Sequence, residues 1–189
     1  MKKETYELML DNPIIAAIKD KNGLQECCKS EQIKMVFVLF GDICNIATIV
    51  KELKEADKIV VVHVDLINGL SGKDIIIDFI KNNTLADGII STKPALIKIA
   101  KEYELITVLR VFLLDSIAYE SIQKQMRGIK PDMIEILPGL MPKVIKKVCK
   151  SGNVPIIAGG LISDKEDVVG ALSAGAIAVS TTNKRVWEM

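Results

Sequence analysis

The segment PIIAGGLISDKEDV, Pro155 to Val168, decides how the rest of the chain is read. A short isoleucine-rich run ends in two adjacent glycines, and a helical pattern follows a few residues later. Such a run suits a strand buried on both faces, and strand, turn and helix together make one unit of a parallel α/β sheet. The glycines pose a second question: a tight turn explains them, and so does a ligand that must approach the main chain.

Seven similar runs occur: IIAAI from Ile14, MVFVLF from Met35, IVVVHVD from Ile59, DGIIS from Asp87, LITVLRVF from Leu105, DMIEIL from Asp132 and AIAVST from Ala176. All are rich in β-branched residues and short enough to be strands. Helical patterns lie between them, among them NIATIVKELKEA (Asn45–Ala56), KDIIIDFIKN, KPALIKIAKEYE, SIAYESIQKQM and MPKVIKKVCK. Pro94 and Pro142 sit near helix starts, Gly152 and Gly175 just after helical runs. Ser163 and Glu166 have the spacing of a capping box. Eight alternations predict a compact TIM-type (β/α)8 barrel formed by one domain spanning residues 1–189. An open doubly wound sheet is the alternative.

The length of 189 residues is short of the roughly 250 typical of such barrels. After Thr181 only eight residues remain, so the last outer helix is expected to be truncated. The N-terminal segment KKETYELMLD is then expected to pack in its place. A barrel missing an outer helix exposes apolar surface that homo-oligomerisation would cover.

Composition narrows the function classes. Hydrophobic residues are 49% and charged residues 26%, an ordinary globular balance. The net charge of +1 sets up no strong overall field toward nucleic acid or membrane. With one histidine and no C-x-x-C pair among Cys27, Cys28, Cys44 and Cys149, no zinc site is expected. Reduced thiols, no signal-peptide pattern and no apolar run of roughly 20 residues fit a cytoplasmic protein without a membrane partner.

In a barrel, ligand chemistry gathers at the C-terminal ends of the strands. Polar residues late in each run and on the interior parity are Lys19, His63, Asp65, Ser91, Arg110 and Glu135, then Gly159 and Gly160, then Ser180 and Thr181. Burying charge without a purpose is costly. Arg110 and Glu135, on neighbouring strands, also suit a salt bridge that only orders the barrel. His63 suits a hydrogen-bonded core histidine, and Asp115 an N-cap. The glycine turn after strand seven and Ser180-Thr181-Thr182-Asn183 after strand eight form the pair of loops that often holds phosphate in barrels. The lysines of the segment from Lys143 to Lys150 read as a solvated helix face.

Taken together, HVDLINGL (His63–Leu70), ADGIIST (Ala86–Thr92), RVFLLDS (Arg110–Ser116), PDMIEILPGLMPKVI (Pro131–Ile145) and PIIAGGLISDKEDVVGALSAGAIAVSTTNKRVW (Pro155–Trp187) resemble the glycerol uptake operon antiterminator family. The resemblance runs from about Pro13 to Trp187. It implies a TIM-type barrel and a regulator with no catalytic residues. It further implies glycerol 3-phosphate as effector ligand, no cofactor, and the leader mRNA of the glycerol 3-phosphate dehydrogenase gene as partner. Asp65 and Glu135 are then expected near the ligand's hydroxyls, with Gly159, Gly160, Ser180 and Thr181 around the phosphate. Lys19 stands where the family has a basic residue, and Arg110 could add charge on the phosphate side. Mouth loops such as Asn68–Asp74 and Leu137–Pro142 would be ordered by ligand and present a surface to RNA. A small phosphate-sugar enzyme, such as a glycerophosphodiester hydrolase, and a metabolite sensor that signals to a protein are the competing readings.

Overall fold

The eight apolar runs become eight parallel strands that close into a barrel in sequence order. The computed structural model describes residues 3–70 and 73–189. The strands are β1 (Ile14–Ile18), β2 (Met35–Val38), β3 (Ile59–His63), β4 (Gly88–Ser91), β5 (Ile106–Phe112), β6 (Met133–Leu137), β7 (Ile156–Gly159) and β8 (Ala178–Thr181). The barrel closes where Ile15 of β1 pairs with Ser180 of β8. The helices are α1 (Lys3–Asp11), α2 (Lys21–Lys29), α3 (Ile46–Glu55), α4 (Ile75–Asn83), α5 (Pro94–Glu102), α6 (Ser116–Gly128), α7 (Pro142–Ser151), α8 (Lys165–Ser173) and α9 (Lys184–Trp187). This is the TIM-type fold that the alternation predicts.

The strands are apolar on both faces because both faces are covered. Ile15, Phe37, Val61, Val108, Met133 and Ile157 fill the interior. Their neighbours Ala16, Val36, Val60, Leu109 and Ile134 pack outward against the helices. The alternation therefore fixes which polar residues enter the barrel.

The segment before β1 differs from its expected place. The buried side chain of Met9 joins the interior cluster with Ile15, Met35 and Val61, so α1 closes the floor of the barrel. Asn12 and Pro13 link α1 directly to the floor end of β1, which is too short a tether to reach the outer ring. The ring position beside β1 and β8 is filled instead by α9. There Val186 and Trp187 are buried, and the indole Nε1 donates to Thr181 O at 2.9 Å. A four-residue helix suffices because one tryptophan covers the gap.

The start of α8 also differs. The N-cap is Asp164, whose carboxylate accepts from Asp167 N at 3.0 Å. Asp167 in turn accepts from Ser163 N and Ser163 Oγ, both at 2.8 Å. Asp164 thus caps the helix and Asp167 reaches back to Ser163, in place of a capping box of Ser163 with Glu166. Aspartate and serine cap equally well, so spacing alone could not choose between the two frames. Among the described residues no helix is long and apolar enough to cross a membrane.

Candidate functional site

At the C-terminal mouth, the interior parity of β5, β6 and β8 places Arg110, Glu135 and Ser180 side by side. Glu135 is fully buried. Its Oε2 accepts from Arg110 Nε at 2.5 Å, and its Oε1 accepts from Ser180 Oγ. The residues pair in register, Arg110 with Glu135 and Gly159 with Ser180, so the sheet itself sets these contacts. Gly159 lies between them: a Cβ there would stand 2.5 Å from both Glu135 Oε1 and Ser180 Oγ. One of the two glycines is thus required by packing of the polar trio. Glu135 holds Arg110 in place through Nε, and the terminal nitrogens of Arg110 make no hydrogen bond among the described residues.

His63 closes β3 and is also buried. Its Nδ1 has no hydrogen-bond partner among the described residues and lies 3.9 Å from Asp65 Oδ2. Burial first, and the Arg110 charge second, push the imidazole down to about 4, so it is neutral at ordinary pH. A hydrogen-bonded core histidine was one expectation; the ring instead presents an unpaired nitrogen at the mouth end of the interior.

Asp65 does not continue the strand. The chain turns into a single 3-10 turn at Val64–Leu66, and interior parity ends there. The carboxylate reaches over to the end of β4. It accepts from Ser91 Oγ at 3.0 Å, Thr92 N at 2.7 Å and Thr92 Oγ1 at 3.1 Å. Lys93 Nζ lies 3.8 Å away. Ser91 follows the interior residue Ile90 and so stands on the opposite parity, meeting Asp65 only because of that turn.

The loops after β7 and β8 are joined to each other. Thr181 Oγ1 donates to Ile162 O at 2.7 Å and accepts from Asn183 N at 3.0 Å, while Asn183 Nδ2 donates to Ser163 O at 2.7 Å. Thr181 thus ties the two loops through its side chain. Gly160 has φ +75° and Leu161 φ +65°, consecutive left-handed residues that swing the chain off β7. The N–H groups of Gly160, Leu161 and Thr182 make no hydrogen bond among the described residues. The first turn of α8 is less suited to an anion, because Asp164, Glu166 and Asp167 crowd it with negative charge. Lys19 is exposed just past β1, the strand that pairs with β8.

Around this interior the rim exposes large apolar side chains, Leu66, Phe112, Leu114, Ile117, Leu140 and Leu161, beside the exposed Lys19 and Lys93. Of the mouth loops expected to move, Leu137–Pro142 contains a cis Leu137–Pro138 bond and is fastened by Gly139 N donating to Gly160 O at 3.1 Å. Asn68–Asp74 includes Ser71 and Gly72, which lie outside the described residues. Among the described residues no group of three or more His, Cys, Asp or Glu is placed to hold a metal ion.

Residues 14–187 match the model of a family described as glycerol-3-phosphate responsive antiterminator. The chain is 47% identical over 182 residues to protein YgcP of Escherichia coli K12, covering 96% of this chain and 95% of that one. Among solved structures it is similar to the glycerol uptake operon antiterminator regulatory protein of Listeria monocytogenes. That pair has 34% identity and a TM-score of 0.90, covering 94% of this chain and 96% of that one. It is also similar to a glycerol uptake operon antiterminator-related protein of Thermotoga maritima, with 35% identity and a TM-score of 0.82, covering 94% and 99%.

Proposed function

We propose that this chain, which belongs to the glycerol-3-phosphate responsive antiterminator family, is a regulator that binds glycerol 3-phosphate in the barrel mouth and acts on leader mRNA. The target is the leader of the glycerol 3-phosphate dehydrogenase gene. The observation that carries this reading is the family match over residues 14–187, which includes every polar residue of the mouth from Lys19 to Thr181.

The geometry supports a particular pose. The phosphate sits against the β7–β8 side, where the N–H groups of Gly160, Leu161 and Thr182 are available and Lys19 adds positive charge. The glycerol hydroxyls extend inward to the terminal nitrogens of Arg110 and to His63 Nδ1. Glu135 and Asp65 contribute indirectly: Glu135 orients Arg110, and Asp65 fastens the end of β4. With their oxygens engaged, neither is a free carboxylate for acid–base catalysis, which favours a binding role over an enzymatic one.

Calorimetric titration with glycerol 3-phosphate, glycerol and inorganic phosphate tests the ligand. Glycerol 3-phosphate should bind with one site per chain and more tightly than either fragment. Absence of binding at millimolar ligand, or equal affinity for inorganic phosphate, would overturn the reading.

A further inference from the structure

At the end of the barrel opposite the mouth, a cavity of about 820 Å³ opens between the floor ends of β6 and β7 and the C-terminal turns of α5, α6 and α7. Among the described residues, Lys3, Lys101, Arg127, Lys130 and Lys150 line it against one carboxylate, Asp132. Among the described lining residues, five cations and one anion sum to +4, whereas the whole chain carries only +1. Asp132 already accepts from Thr107 N at 2.9 Å and Thr107 Oγ1 at 2.8 Å. Lys3 pairs with the exposed Glu7 at 3.4 Å, and Lys101 Nζ donates to Lys130 O. Arg127, Lys130 and Lys150 make no ion pair among the described residues.

We infer that this basic groove on the barrel floor is the RNA-binding face, with the RNA phosphate backbone as its occupant. The inference rests on the regulatory reading above and adds the location. Arg127, Lys130 and Lys150 are exposed and project from two segments, the end of α6 with the turn that follows it and the end of α7. Exposed, separated cations suit a string of phosphates better than one small anion, which needs a buried, fixed anchor. Tyr6 in the same lining offers a ring for base stacking. The mouth rim, by contrast, exposes the large apolar side chains of Phe112, Leu114, Ile117 and Leu161, which match a polyanion poorly. Effector and RNA would then occupy opposite ends of one barrel. Helix α6 joins them: its N-cap Asp115 closely follows Arg110 of β5, and Arg127 lies in its last turn.

Cations in the last turns of helices also offset the helix dipole. A purely structural role predicts altered stability and unaltered RNA binding, so one experiment separates the two. The triple variant Arg127→Glu, Lys130→Glu, Lys150→Glu is compared with wild type for binding to the dehydrogenase leader RNA across a salt series. Lys51→Glu, on α3 at another side of the barrel, is the control. The expected result is affinity weaker by about ten-fold or more at 0.1 M salt, and a salt slope shallower by ~2 for three lost phosphate contacts. Glycerol 3-phosphate titration should be unchanged. Should the glutamate variant fail to fold, Arg127→Gln, Lys130→Gln, Lys150→Gln carries the same test, with the same shallower slope expected. Equal affinity and slope in wild type and variants would overturn the floor assignment and leave the regulatory reading standing. No RNA binding by wild type would overturn both.

Discussion

Ser180 Oγ donates to Glu135 Oε1 directly beside Gly159, and the absence of a side chain at Gly159 is what allows the two to meet. Gly159→Ala would put a methyl group into that contact, 2.5 Å from both oxygens. It should cost about 1–3 kcal/mol of stability, as overpacking does. It should also weaken ligand binding, because Glu135 would shift and Arg110 with it. Denaturant melts and titration of the purified variant check both effects.

The Arg110–Glu135 pair makes a sharper prediction. Removing one partner leaves the other charge buried alone, which costs about 3–5 kcal/mol. Replacing both by apolar residues of similar volume removes that penalty. Glu135→Leu should therefore be markedly less stable than the double variant Arg110→Met, Glu135→Leu. The double variant should fold and fail to bind glycerol 3-phosphate. Comparable stability of the single and double variants would show that the pair is not coupled.

His63 gives a pH signature. Its pKa falls from 6.5 to about 4 on folding, so the unfolded chain binds more protons between those values. Stability from this group is therefore complete above about pH 6.5 and is lost as pH falls toward 4. The full effect is on the order of 3 kcal/mol. His63→Gln should flatten the stability profile in that window relative to wild type. It should also weaken binding of glycerol 3-phosphate more than binding of inorganic phosphate, because the ring is assigned to a hydroxyl.

Gly160 separates charge from backbone strain. At φ +75° any side chain is strained, and asparagine and aspartate tolerate that region best. Gly160→Asn and Gly160→Asp should therefore be similarly folded. Only the aspartate should repel the phosphate, with about ten-fold or greater loss of affinity relative to asparagine. Equal affinity of the two would assign both glycines to turn geometry and packing.

Much of the architecture was legible because it rests on local pattern. Runs such as IVVVH and MIEIL are apolar on both parities, which only a strand covered on both sides requires. Polar residues interrupting those runs, Arg110 and Glu135 above all, stood out for the same reason. What escaped depends on partners remote in sequence. Asp65 reads from the strand pattern as an interior residue sharing a face with His63, yet a 3-10 turn redirects it to donors 26 and 27 residues away. The unpaired Nδ1 of His63 is a property of its surroundings. The amphipathic pattern of α1 gave a buried face without saying whether ring or floor would bury it. The floor groove is assembled from the ends of separate helices, so no run of basic residues announced it.

The central claim is that effector and RNA binding are coupled, and a mobility-shift titration of the dehydrogenase leader RNA, with and without saturating glycerol 3-phosphate at one stated salt concentration, tests it most directly. The predicted result is a several-fold change in RNA affinity on adding the effector. An equal reciprocal change in effector affinity should appear when RNA is present. RNA affinity that is identical with and without glycerol 3-phosphate would contradict the account.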